Sequence, residues 1–130
     1  MPEPDPIAPS SQRRQRAYRW GLSAETGAAW YLRLKGYRIL ARRFKVARGE
    51  IDLVALKHRT LVFVEVKARA EEHAALEAVG PRSQRRIIAA ADSWGQKYPR
   101  YLSFDWRYDI IVMMPRRWPR HHVAAFIPQD

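Results

Sequence analysis

Apolar and polar positions recur with different periods along this chain, and the periods divide it into elements. From Ser23 to Lys35 the spacing is helical: Ala28, Ala29 and Leu32 form one stripe, Ser23 is placed to cap the start and Gly36 to stop the end. Glu25 precedes those three residues by three, four and seven positions and therefore shares their stripe. A carboxylate on the inward face of a helix is costly unless it finds a partner. A strand is expected over Tyr37 to Phe44, then a basic turn from Lys45 to Arg48. Two β-rich runs follow, residues 50–56 and 61–67, joined by Lys57, His58, Arg59 and Thr60, which reads as a hairpin with a four-residue connection. Residues 68–80 are charged and irregular. A second helix is expected from near Pro81 to about Lys97, with Ile87, Ile88, Ala91 and Trp94 as its stripe and Gln84 on the same side. Strands are expected at Trp106 to Met114 and Val123 to Ile127.

The hairpin places chemistry. Folded symmetrically about its connection, it pairs positions whose numbers sum to 117, so Asp52 faces Glu65 and Glu50 faces Lys67. These four share one face, while Ile51, Leu53, Ala55, Val62, Val64 and Val66 share the other, the expected core face. Directly opposed residues on antiparallel strands have Cβ atoms about 4.5–5.5 Å apart, where like charges repel. The repulsion ends if a divalent cation lies between the two acids. Mg²⁺ or Mn²⁺ prefers hard oxygen ligands, commonly one or two carboxylates with waters and substrate phosphate. The Val66 carbonyl could add a backbone ligand, and Lys67 stands beside the pair. The alternative is an exposed Glu50–Lys67 ion pair with Asp52 and Glu65 solvated. A slip of one residue would send the acids to opposite faces.

Composition narrows the classes of function. The chain has 130 residues, 47% of them apolar, which suits one domain with a real core and excludes a disordered polycation. Residues 1–20 read as a basic, proline-rich tail and residues 21–130 as a single α/β domain. There is no cysteine, so disulfides, thiol nucleophiles, cysteine zinc sites and iron–sulfur clusters are excluded. No run of 18 apolar residues is present, and no secretory signal is expected; a cytoplasmic location is the default. Lys and Arg number 24 against 13 Asp and Glu, for a net charge of +11, and only Arg13, Arg14, Arg16 and Arg19 of those cations lie in the tail. Such a domain attracts polyanions, nucleic acid first among them.

Other candidates carry less. His58, His73, His121 and His122 lack metal-site spacing and read as surface residues, with His121 and His122 pointing opposite ways on a strand. Asp109 reads as a buried structural acid paired with an arginine. Trp118, set among Arg116, Arg117 and Arg120, is either a base-stacking aromatic or a loop residue packed on the sheet edge.

The segments Gly49-Glu50-Ile51-Asp52-Leu53-Val54 and Phe63-Val64-Glu65-Val66-Lys67-Ala68-Arg69 resemble the core motif of the YraN-like family of uncharacterised bacterial proteins. The likeness extends upstream through Gly21, Glu25, Ala29, Tyr31-Leu32 and Gly36-Tyr37. Downstream it takes in Ala78-Val79, Arg107-Tyr108-Asp109 and Ala125-Phe126. That family in turn resembles the restriction-endonuclease-like PD-(D/E)xK nucleases, especially archaeal-type Holliday-junction resolvases. The resemblance implies a central mixed β-sheet flanked by helices and a Mg²⁺-dependent phosphodiesterase site. In it Asp52 matches the motif aspartate, Glu65 and Lys67 the ExK pair, and Glu25 the acid of the first helix. Ile51 stands where a proline is often found, and Ser83 lies near the place of a lysine that relatives often carry at the start of the second helix.

Three functions follow as expectations. The first is a metal-dependent nuclease acting on DNA, branched or single-strand-containing, more readily than on RNA. Glu25, Asp52, Glu65 and Lys67 would form its catalytic set. Asp52, Glu65, Glu25 and the Val66 carbonyl would hold the metal, and Arg42, Arg43, Lys45, Arg48, Arg69, Arg82, Gln84, Arg85 and Arg86 would meet the nucleic acid. The second is a nucleic-acid-binding protein of the same fold without catalysis. The third is an adaptor whose basic face binds an acidic protein. A homodimer is suggested only by analogy with the resolvases.

Overall fold

Among the described residues five strands form one mixed sheet, and helices cover both of its faces. The computed structural model describes residues 23–129; the expected tail over residues 1–20 lies outside them. Helix α1 occupies 23–34. It leads into β1 (Arg38–Val46), β2 (Gly49–Lys57) and β3 (Thr60–Ala68). Helices α2 (Glu72–Glu77) and α3 (Pro81–Lys97) and a 3-10 turn (Pro99–Ser103) then lead to β4 (Asp105–Met113) and β5 (Arg120–Phe126). The sheet order is β1-β2-β3-β4-β5. Only β3 and β4 run parallel; every other neighbouring pair is antiparallel. A parallel pair cannot be joined by a tight turn, so the segment between β3 and β4 must cross a face of the sheet. That segment contains α2 and α3.

The expected α/β architecture is therefore present, with differences of extent. Strand β1 runs on through Lys45 and Val46, so the basic turn shrinks to two residues, 47–48. The β2–β3 connection likewise contains only His58 and Arg59, because Lys57 pairs with Thr60; the register still sums to 117, since the centre of the turn is unchanged. His58 takes a positive φ of 55°, as a two-residue hairpin turn demands. Residues 68–80, expected to be irregular, contain α2. Strand β5 begins at Arg120, earlier than Val123, because Arg120, His121 and His122 pair with Val112, Ile111 and Ile110.

The expectation of one core face needs correcting. Leu53, Ala55, Val62, Val64 and Ile111 pack under Ala28, Ala29 and Leu32 of α1. On the opposite face Val54, Leu61, Phe63, Tyr108, Ile110 and Val112 pack under Ile87, Ala90, Ala91 and Trp94 of α3. The acid-bearing face is thus also a core face, because the β3–β4 crossover lays α3 over it. Ile51 joins this second cluster and not the first, so side-chain alternation along β2 is broken next to Asp52.

Gly49 fixes how closely α3 approaches. A Cβ at this position would stand 1.9 Å from the Arg86 carbonyl oxygen. The absence of a side chain lets the first half of α3 seat against the start of β2, and Arg48 Nη2 donates to the Ala89 carbonyl at 3.2 Å beside it.

Candidate metal and phosphodiesterase site

The site lies where β2 and β3 part. Their ladder is regular from Lys57↔Thr60 to Leu53↔Val64 and then ends, while β3 continues to pair with β4 as far as Ala68. At the next position the Asp52 side chain takes over: its Oδ2 accepts the Val66 backbone N–H at 2.8 Å. A carboxylate here satisfies a donor that the departing strand no longer reaches. Loss of alternation at Ile51 and this hydrogen bond are one event: β2 twists away and Asp52 bridges the fork.

Glu65 adjoins it. Burial, the neighbouring charge of Asp52 and a hydrogen bond with it push the Glu65 carboxyl up to about 8, with Lys67 pulling the other way. The Glu65 carboxyl is therefore protonated more readily than a free glutamate. Lys67 Nζ lies 3.4 Å from Glu65 Oε2, and both side chains are largely buried. Glu65, Lys67 and Glu50 line a cleft of about 160 Å³ with Ser83, Arg86 and Ile87 of α3.

Glu25 approaches from the α1 side. Its carboxyl is raised by burial first and by the charge of Asp52 second, against the pull of Arg43 and Arg42. Its Oε1 is buried and accepts no hydrogen bond among the described residues. An inward acid that remains unsatisfied is the partner problem its helical stripe posed. Among the described residues no three His, Asp or Glu side chains converge on one ready-made metal centre. Two acids and a backbone carbonyl still suit Mg²⁺, which retains several waters and takes one or two carboxylates. The orphaned Glu25 oxygen and the adjoining Asp52 and Glu65 carboxyls are the kind of oxygen donors such a cation takes.

The alternative, an exposed Glu50–Lys67 ion pair, does not form. Glu50 reaches across to Lys45 of β1 at 3.8 Å, and Lys67 turns to Glu65. The reason is the fork itself: with the ladder ended at Leu53, residues 50 and 67 are no longer partners across adjacent strands.

The expected nucleic-acid contacts fall into two groups. Arg82, Arg85 and Arg86 are exposed on the first half of α3, and Arg69 is exposed just past β3, its Nη1 donating to the Ala68 carbonyl at 2.8 Å. Arg42, Arg43, Lys45 and Arg48 are exposed along β1 and its turn, with Arg42 Nη2 donating to Thr26 Oγ1 at 2.8 Å. Gln84 is instead part of the helix start. Its Nε2 donates to the Val79 carbonyl at 3.0 Å, so that donor is engaged in holding the α2–α3 junction. A larger cavity, about 360 Å³, lies between α3 and residues Ile127, Pro128 and Gln129; Asp92 is its one acid among the described residues, and neither Asp52 nor Glu65 lines it.

A family model described as an uncharacterised protein family, UPF0102, matches residues 24–113. The chain belongs to the UPF0102 family. The span includes α1 and the whole fork, so Glu25, Asp52, Glu65 and Lys67 all lie inside it. A UPF0102 protein of Rhodopseudomonas palustris (strain BisA53) is 49% identical over 126 residues, 97% of each chain. One from Parvibaculum lavamentivorans is 54% identical over 112 residues, covering 86% of this chain and 84% of that protein. One from Bradyrhizobium sp. (strain BTAi1) is 50% identical over 121 residues, 93% and 89% respectively. The YraN-like resemblance is borne out at this level.

A second polar cluster lies on the α1 side of β4 and β5. Fully buried Asp109 accepts from Arg107 Nε at 2.9 Å and Nη2 at 2.8 Å, from the Ala124 N–H at 2.9 Å, and from His121 Nε2 at 2.7 Å. The Lys35 ammonium, which can only donate, lies 2.7 Å from His121 Nδ1, so Nδ1 accepts and Nε2–H points at Asp109. His122 turns the other way to Glu72 Oε2 at 2.6 Å. The opposite directions of the two histidines are as expected. Their reading as plain surface residues is not: each has an acid partner, Asp109 on the adjoining strand for His121 and Glu72, 50 positions away, for His122.

Proposed function

We propose that this UPF0102 protein is a metal-dependent nuclease that hydrolyses phosphodiester bonds in DNA, with a restriction-endonuclease-like fold. The observation that carries this reading is the Asp52–Glu65 pair at the β2–β3 fork, with Lys67 3.4 Å from Glu65. Asp52, Glu65 and the Val66 carbonyl would hold Mg²⁺ or Mn²⁺, with Glu25 completing or orienting the ligand set from α1. A cation bound there supplies charge to polarise the phosphate and makes its bound water more acidic. Val66 N–H fixes the Asp52 carboxylate, so this ligand is oriented before any substrate arrives. Lys67 holds positive charge at the cleft where a scissile phosphate gains negative charge, and its ammonium can position the attacking water. Arg86 and Ser83 stand on the facing wall as phosphate contacts. Ser83 takes no proton-transferring part of the kind a lysine would, and Arg86 stays charged throughout.

The excess of 11 positive charges supports a polyanionic substrate. A second reading, nucleic-acid binding without catalysis, draws on the lack of three convergent acids among the described residues. Cleavage assays on junction, flap, single-stranded and duplex DNA with Mg²⁺ or Mn²⁺ separate the two. The nuclease reading expects metal-dependent cleavage, lost by roughly 10²-fold or more in Asp52→Ala and Glu65→Ala, a scale typical of losing charge stabilisation at a reacting centre. Cleavage unchanged in both variants overturns the site assignment. Salt-dependent binding with no cleavage of any substrate supports the second reading.

A further inference from the structure

The β4–β5 turn contains chemistry that the acid site does not use. It presents Arg116, Arg117 and Trp118 and leads into Arg120, the first residue of β5. Trp118 is 77% exposed. Among the described residues the other well-exposed indole, Trp30, lies under the Arg33 guanidinium at 5.0 Å, whereas Trp118 meets no ring or cation there. Tryptophans are highly buried on average, so a bare one surrounded by arginines needs a reason.

Its position supplies one. Lys67 pairs with Val112 across the parallel ladder, and Val112 pairs with Arg120 across the antiparallel one. Lys67, Val112 and Arg120 therefore occupy a single rung of the sheet, which puts the Arg120 backbone about 10 Å, two strand spacings, from that of Lys67. Arg69 N–H donates to the Met113 carbonyl at 3.2 Å, so the turn leaves the sheet beside Arg69 as well. Arg116 holds a positive φ of 58°, and Arg117 N–H closes the turn on the Met114 carbonyl at 3.4 Å. An arginine occupies a left-handed position that glycine would take without strain.

We infer that Trp118 is a stacking platform for an unpaired base, and that Arg116, Arg117 and Arg120 hold the adjoining phosphates, so that single-stranded DNA is led to the fork. Every base has a π-face that an exposed indole can cover, but pairing and stacking hide those faces in a duplex. Neighbouring guanidiniums neutralise the backbone without reading sequence. The delivery of that strand to Asp52 and Glu65 rests on the nuclease reading; the stacking itself does not.

The test is metal-free fluorescence anisotropy on the full chain at fixed salt, with three probes: a thymidine strand of about 15 nucleotides, an abasic strand of equal length and a blunt duplex. Trp118→Ala is expected to weaken the thymidine strand about 5- to 100-fold, the range that loss of one stacked base gives. It should leave the abasic strand and the duplex within twofold. Trp118→Phe should retain most of the thymidine affinity. Equal losses for all three probes, or none for the thymidine strand, overturn the inference. No cleavage of any substrate together with a selective loss for Trp118→Ala faults the nuclease reading and leaves the platform standing. Cleavage with no such selectivity does the reverse.

Discussion

Two buried acid clusters lie in this one small sheet, and they are built on opposite principles. Asp109 has a donor for every direction: two nitrogens of Arg107, the His121 ring and the Ala124 amide all point at its two oxygens. Burial alone would push its carboxyl up, yet the hydrogen bonds of His121, Arg107 and Ala124 outweigh that and hold it below the usual aspartate range. At the fork the balance is reversed. Glu65 and Glu25 are both pushed up, by burial first and by Asp52 second, and one Glu25 oxygen has no hydrogen bond among the described residues. The first cluster is complete in itself and serves the fold, tying β4 and β5 to Tyr37 through the Arg107–Tyr37 hydrogen bond of 2.7 Å. The second is short of positive charge in a protein that has a surplus. One buried acid is satisfied in full by the fold, whereas at the fork a Glu25 oxygen is left without a donor among the described residues.

Breaking the complete cluster should have the largest effect. Asp109→Ala removes the acid that Arg107, the buried His121 ring and the Ala124 amide all donate to, and about 3–5 kcal/mol of stability should be lost, as when one partner of a buried pair is removed. Urea denaturation measures it. Because the Asp109 carboxyl is lowered, its contribution is whole above the unfolded value of 3.8 and disappears as pH falls through the folded one. A loss under about 1 kcal/mol would mean that the two clusters do not differ as described.

The fork should respond with the opposite sign. The Glu65 carboxyl is raised from 4.5 to about 8, so the folded protein binds more protons than the unfolded chain between those values. Metal-free stability should therefore fall as pH rises from 4.5 to 8. Glu65→Gln keeps a donor toward Asp52 without the charge. It should raise metal-free stability at about pH 9 by roughly 2–4 kcal/mol, because each tenfold difference in proton affinity between the folded and unfolded chain is worth about 1.4 kcal/mol. Near pH 4.5 it should leave stability nearly unchanged. Denaturant melts at the two pH values decide this; a destabilising Glu65→Gln on the alkaline side would contradict it. Glu50→Gln, at the exposed pair with Lys45, serves as the small-effect reference at under about 1 kcal/mol.

That Asp52 and Glu65 would adjoin was legible from local rules, because a hairpin has one centre and they are equidistant from it; that the ladder would stop one rung short of pairing them was not. The turn around His58 and Arg59 proved tighter than four residues, but tightening about the same centre leaves the register alone. The end of the ladder at Leu53 was not legible, and with it went the expected register of Glu50 opposite Lys67: where two strands part depends on the twist of the whole sheet and on what packs beyond it. The second core face was hidden for a similar reason. Val54, Leu61 and Phe63 are apolar on the acid-bearing side, and only the parallel placement of β4 explains why α3 must cover them. Asp109 was legible as a structural acid paired with an arginine, since Arg107 lies two residues away on the same strand. His121 and His122 were misread as surface residues because Lys35 and Glu72 reach them from 86 and 50 positions away. The inward position of Glu25 was visible in its helical stripe, while its closeness to Asp52 needed the packing of α1 on the sheet.

Cation binding at the fork is the claim on which the rest depends, and titration calorimetry reaches it without a substrate. Mn²⁺ is titrated into the full chain at neutral pH in two buffers of different ionisation enthalpy, so that protons released on binding are counted. With Glu65 raised to about 8, a cation that displaces the Glu65 proton should bind with release of nearly one proton. Both the binding and the release should vanish in Asp52→Asn. Absence of heat at millimolar Mn²⁺, or a titration that Asp52→Asn leaves unaltered, would contradict the account.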